Sequence, residues 1–131
     1  MNLDTRHKIL NIGDAATRIR ELQQSGQPVV AFVSHLEVLR AAQVRKLEQV
    51  APGAPGKLMV IITEPASPLV TLQARSEVAA GLRVVDYVVP APDGAAAALA
   101  AIDPGSRIDD EEEDRGRTRQ LIEHVRSRAR N

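Results

Sequence analysis

Two unbroken apolar runs, PVVAFVS at 28–34 and KLMVIIT at 57–63, constrain the fold of this chain more than any other feature. Neither alternates with polar residues, so each reads as a strand buried on both faces, as in a parallel sheet. A third strand is expected at Val84–Val89. Helix-periodic segments separate the runs. The first helix is expected over about 14–25, with Asp14 as N-cap, Ala15, Ile19 and Leu22 on one face, and Gly26 as the stop. The second is expected over about 38–51, where Leu36, Leu39, Val44 and Leu47 recur at helical spacing, and the Pro- and Gly-dense APGAPG turn ends it. The third is expected after Thr71, with Leu72, Val78, Ala79 and Leu82 facing inward. Strands alternating with helices predict an α/β fold with a parallel sheet and right-handed crossovers.

The character changes after Pro90. DGAAAALAAI (93–102) reads as a small-residue helix, DPGS ends it, and DDEEED (109–114) is an acidic run. Arg115–Arg130 reads as a last helix with Leu121, Ile122 and Val125 as its apolar stripe; acids ahead of it and arginines at its end match the helix dipole. No strand-like segment follows Val89, so the sheet is expected to hold about three strands. The length of 131 residues suits one domain, 1–131.

Composition narrows the function classes. Seventeen basic and seventeen acidic residues cancel, and only 2% of residues are aromatic, so neither phosphate neutralisation nor base stacking supports nucleic-acid binding. There is no cysteine, hence no disulfide framework and no thiolate metal site. The polar start MNLDTRHKIL lacks a signal-peptide core, and no apolar run approaches the roughly 20 residues that span a bilayer, so the expectation is a cytoplasmic protein without membrane partners.

In parallel sheets ligands bind beyond the carboxyl ends of the strands, so the loops at 34–38, 63–70 and 89–93 are expected to share one functional edge. The first of these joins a buried strand to a helix N-terminus, a natural anion site. It carries Ser34, His35 and Glu37. A Ser-His-carboxylate triad is set aside, because neighbours in one loop rarely point at one another and no G-x-S-x-G elbow is present. The three read as surface polar residues, with His35 within reach of a ligand. Arg40 and Gln43 stand in the first turns of the second helix, and Arg75 on the third, near the same edge. Arg40 and Arg75 suit either a phosphate or solvent. The histidines, His7, His35 and His124, lack metal-ligand spacing, and DDEEED lacks the calcium-loop pattern, so it reads as a solvated linker and no metal site is expected.

Three stretches carry a family resemblance: KILNIGDAATRIRELQQSGQPVVAF (8–32), QVRKLEQV (43–50) and ARSEVAAGLRVVDYVV (74–89). On these, the chain resembles the cytidylyltransferase-like nucleotidyltransferases, a superfamily that includes glycerol-3-phosphate cytidylyltransferase and the nucleotidyl-transfer domain of bacterial ADP-heptose synthase. The resemblance covers about 8–89 and leaves 90–131 as a divergent helical part. It implies a Rossmann-like three-layer sandwich, truncated relative to the family, and a reaction that joins a nucleoside triphosphate to a phosphorylated small molecule. It also implies a nucleotide, CTP or ATP with Mg, as the ligand.

The family signature is a Gly-x-Phe-Asp turn followed by His-x-Gly-His. Aligned through QVRKLE, its positions fall on Ser34, Leu36, Glu37, Arg40, Ala42 and Gln43, so only the acidic position keeps its character. Arg75 matches a family arginine that contacts substrate phosphates. The resemblance therefore implies a catalytically degenerate domain with no assigned catalytic residue. Its nucleotide- or phosphate-binding candidates are Ser34, His35, Glu37, Arg40, Gln43 and Arg75. Two alternatives remain open: a divergent active enzyme that transfers CMP or AMP to a phosphorylated sugar or glycerol, and a purely structural or interaction module. With three strands the sheet would stop at a normally central strand, so a homodimer covering that edge is expected.

Overall fold

The structure is a computed structural model and describes residues 4–129. The apolar runs form strands β1 (Val29–Ser34) and β2 (Lys57–Thr63), followed by β3 (Tyr87–Ala91) and β4 (Ser106–Asp109). Five helices accompany them: α1 (Ile12–Gln24), α2 (Ala41–Val50), α3 (Leu72–Ala80), α4 (Ala95–Ile102) and α5 (Glu111–Ala129). The strands make one all-parallel sheet of order β3-β2-β1-β4.

The alternation of side chains along the strands decides the layers. Val29, Ala31, Val33, Met59, Ile61 and Val89 pack under α1 and α4, against Ile19, Leu22 and Ile102. Phe32, Leu58, Val60, Ile62 and Val88 face the other way, against Leu47 of α2 and Ala79 and Ala80 of α3. The result is a Rossmann-like α/β/α sandwich. The chain steps from β1 to β2 to β3 through helices on one face, then returns over the other face through α4 to β4. Reversing both direction and face keeps one hand for all three crossovers.

The fourth strand corrects the expected count. Ser106–Asp109 is short and mostly exposed, and only Ile108 reaches the core, so it has almost no apolar pattern to read. Its pairing is a backbone matter, with Val30 to Val33 of β1 set against Ser106 to Asp109. β1 is thereby central, and the bare central edge that suggested a second chain does not exist. On the far side of the sheet the Leu10 N–H donates to the Val88 carbonyl and lines the outer edge of β3.

Other boundaries move for local reasons. Asn11, not Asp14, caps α1: its side chain accepts from the Asp14 N–H. Helix α2 starts at Ala41 because its N-cap, Arg40, is still extended (φ −121°, ψ 162°), at the end of a loop in which Leu36 is left-handed (φ 50°). Leu36 and Leu39 are thus core-packing loop residues rather than helical ones. Residues 82–86 turn before β3 begins, and the Asp86 carboxylate accepts from the Leu58 N–H. Thr71 caps α3 as expected, accepting from the Ala74 N–H, but Val78 is 54% exposed and the buried face carries Arg75 and Ser76 instead.

Candidate functional site

The strand order reverses between β1 and β4. In doubly wound sheets the ligand crevice lies there, beyond the carboxyl ends of the two strands. Here the crevice is filled by the chain itself. Asp110 follows β4 directly, its N–H bonded to the Val33 carbonyl, and it is fully buried. Four donors converge on its carboxylate. Ser34 Oγ (3.1 Å), Gln43 Nε2 (3.1 Å) and Arg117 Nη2 (2.6 Å) meet Oδ2, and Lys46 Nζ (2.9 Å) meets Oδ1.

The donors come from β1, α2 and α5, so one carboxylate ties three elements together. Asp114, also fully buried, accepts from Arg117 and from the Glu37 N–H. Burial works to raise the Asp110 carboxyl, yet the hydrogen bonds from Lys46 and Arg117 outweigh it and hold the group below the usual carboxylate range. For Lys46, burial works to lower the ammonium, and the bonds to Glu113 and Asp110 hold it above its usual range.

These directions fix a pH dependence. A depressed carboxylate stabilises the fold above its unfolded value of about 3.9, and the contribution is lost as pH falls through the folded value. A raised lysine stabilises below about 10.4, and that contribution is lost as pH rises through the folded value. Stability measured by urea titration should therefore fall on acidification below about pH 4, and Asp110→Asn should flatten that acid limb.

A second cluster locks the neighbouring loops. Arg75 is 2% exposed and forks under the edge. Nη1 donates to the carbonyls of His35 (2.6 Å) and Thr63 (2.8 Å), Nε to the Val70 carbonyl (3.0 Å), and Nη2 to the Glu64 carboxylate. Thr63 Oγ1 donates to Glu111 and faces His35 Nδ1 at 2.8 Å. His35 Nδ1 is then the protonated nitrogen, donating to Thr63, and Nε2 is left to face Arg115 at 3.5 Å. Beside this cluster, between α5 and the loops after β1 and β2, lies a cleft of about 480 Å³. Its polar wall has two acids, Glu37 and Glu112, two arginines, Arg115 and Arg119, and His35, Ser67 and Thr118. Thr118 Oγ1 is buried with no partner among the described residues.

The six expected site residues therefore separate. Ser34 and His35 are buried, not surface loop residues, because the chain turns inward at Leu36 and the two bond to Asp110 and Thr63. Glu37 reaches the cleft rim and accepts from the Leu69 N–H. Gln43 is buried against Asp110, Arg75 is enclosed by carbonyls, and Arg40 is exposed at the N-cap of α2.

The acidic run is the other correction. It is not a solvated linker, since Asp109 ends β4, Asp110 and Asp114 are buried, and Glu111 begins α5. Lys46, Asp110 and Arg117 are the residues that sequence reasoning missed. No signal within the run singled out Asp110: it precedes α5, and the i, i+4 spacing of Asp110 and Asp114 is repeated by the exposed pair Asp109 and Glu113. Among the described residues no group of three metal-ligating side chains lies together, and no helix is long and apolar enough to cross a membrane. No family model matches the chain, and no curated protein matches it either.

Proposed function

We propose that this chain is a catalytically degenerate, nucleotidyltransferase-like domain whose present role is to bind a phosphorylated small molecule. The observation that carries the reading is the filled crevice. Where such a sheet holds its substrate, Asp110 takes up Ser34, Gln43, Lys46 and Arg117. The position that would carry the family's second histidine is Gln43, and its amide is engaged with Asp110. Phosphoryl-type transfer relies on preorganised donors aimed at the reacting group, and losing one such donor costs about 3–4 kcal/mol of transition-state stabilisation. The cleft beside the crevice still offers Arg115, Arg119 and the Thr118 hydroxyl to an anion, with the Glu37 and Glu112 carboxylates on the same wall.

Incubation with CTP or ATP and glycerol phosphate or a sugar phosphate should release no pyrophosphate above the blank. The same ligands should raise the melting temperature, since a ligand at a hundred times its dissociation constant adds about 2.7 kcal/mol. The Arg115→Ala/Arg119→Ala variant should lose that shift. Release of pyrophosphate that disappears in Arg40→Ala would overturn degeneracy. It would favour the active alternative, for which one observation speaks. Arg40 is exposed at an α2 N-terminus whose cap makes no side-chain hydrogen bond.

A further inference from the structure

The Asp110 cluster has the anatomy of an occupied anion site. Its carboxylate is fully buried, and three of its four donors, Ser34, Gln43 and Lys46, come from side chains distant in sequence. Ser34 and Gln43 are themselves 0% and 3% exposed, so the donors are held in place by the sheet and α2 rather than by solvent. Ser34 Oγ is fixed further by accepting from the Leu36 N–H at 3.2 Å. The anion is supplied by the chain, from the first position ahead of α5.

The attachment of α5 to the rest of the molecule is equally specific. Neither apolar core contains a residue of α5. Leu121 and Ile122 are only half-buried, and Val125 is 58% exposed. What docks the helix is polar: Asp110 on Lys46, Asp114 on the Glu37 N–H, Glu111 on Thr63 and Glu113 on Lys46. A helix held by charge-assisted contacts, without a core face, belongs to the low end of local stability, and its release costs the sheet the bond from the Asp110 N–H to the Val33 carbonyl but none of the apolar core. Undocking removes Arg117, and Asp110 follows once its N–H releases the Val33 carbonyl. It leaves Ser34 Oγ, Gln43 Nε2 and Lys46 Nζ converging on the space that the carboxylate had filled, at the switch point where α/β sheets take ligands.

We propose that the Asp110 carboxylate is a tethered stand-in for a phosphate dianion, and that α5 is an autoinhibitory latch keeping this phosphate site closed. The proposal takes the filled crevice as its starting point. It stands whether or not the fold descends from a nucleotidyltransferase, and it is read by anion binding rather than by pyrophosphate release. A phosphate placed there accepts from Ser34, Gln43 and Lys46, as the carboxylate does. It competes with Asp110, so ligand binding and α5 release are one equilibrium. The Gln43 carboxamide oxygen has no partner among the described residues, which suits a protonated phosphate oxygen as donor.

Two measurements test this on the full chain. The first uses Asp110→Ala, with inorganic phosphate and formate as probes and chloride at equal ionic strength as the control. The variant should regain melting temperature with either probe, the wild type should not, and adding Lys46→Ala should abolish the rescue. Equal responses of variant and wild type would overturn the anion site.

The second keeps the native sequence, so it holds even if the variant fails to fold. Amide hydrogen exchange across residues 111–122 should accelerate about tenfold in concentrated phosphate relative to chloride, while exchange in β1 and β2 stays unchanged. Unchanged exchange in α5, or a uniform rise across the sheet, would overturn the latch.

Discussion

Arg75→Ala should destabilise this protein by about 4–5 kcal/mol, among the largest losses for a single substitution in the chain. The side chain is not at the surface, where a phosphate-binding arginine of α3 would stand. Its guanidinium lies beneath the sheet edge and bonds to three carbonyls and the Glu64 carboxylate. The His35 and Thr63 carbonyls belong to residues that are 3% and 1% exposed, so water cannot replace the lost donors without opening the edge. Each buried group left without its partner costs about 1–3 kcal/mol, and the vacated volume adds to that.

For a domain of this size the melting temperature should fall by about 15 °C. Arg75→Lys should recover less than half of the loss, because one ammonium cannot reach the Thr63 end of β2 and the loop carbonyls of His35 and Val70 together. Thermal and urea unfolding check the magnitude. Hydrogen exchange checks the place, since protection should be lost first across 34–37 and 63–70. A loss below about 1 kcal/mol would show that the guanidinium is dispensable to the fold and return Arg75 to the ligand candidates.

Asp110→Ala is expected to cost about 3–5 kcal/mol, the usual range for breaking a buried ion pair by removing one partner. Lys46 would keep only Glu113, which is 64% exposed, and Arg117 would keep Glu113 and Asp114, so the one fully buried carboxylate that both cations share would be gone. Part of the loss is therefore the buried donors Ser34 and Gln43 left without their acceptor. Asp110→Asn keeps the shape and the bond from Ser34, so it should cost less. The paired Asp110→Ala/Lys46→Ala variant should be more stable than the sum of its single losses, because each single change already removes the contact that the two residues share. Strict additivity in that double-mutant cycle would mean that the Lys46–Asp110 contact contributes nothing.

The contrast between these two residues shows how much of the site could be read from sequence. Arg75 was visible as an arginine near the carboxyl edge of the sheet, and the edge itself followed from the alternation of strands and helices. Its partners were not visible, since backbone carbonyls carry no residue-type signal. Asp110 lay inside a run of six consecutive acids that composition reads as solvated surface. Its burial depends on Ser106–Asp109 pairing with β1, which delivers the next residue into the crevice. That strand has one inward apolar residue, Ile108, and no alternating pattern. Missing the strand therefore meant missing the site.

The α/β class, the three longer strands, the Thr71 cap and the shared edge were determined by the sequence alone, because apolar periodicity and capping chemistry act within a few residues of the chain. Tertiary structure alone decided the rest. It set β4 beside β1, turned Ser34, Gln43 and Arg75 inward and left Arg40 outside. The physical reason is that a buried polar group is defined by its partners. Three of the partners of Asp110 are 76, 67 and 64 positions away along the chain, distances over which only the folded topology chooses who meets whom.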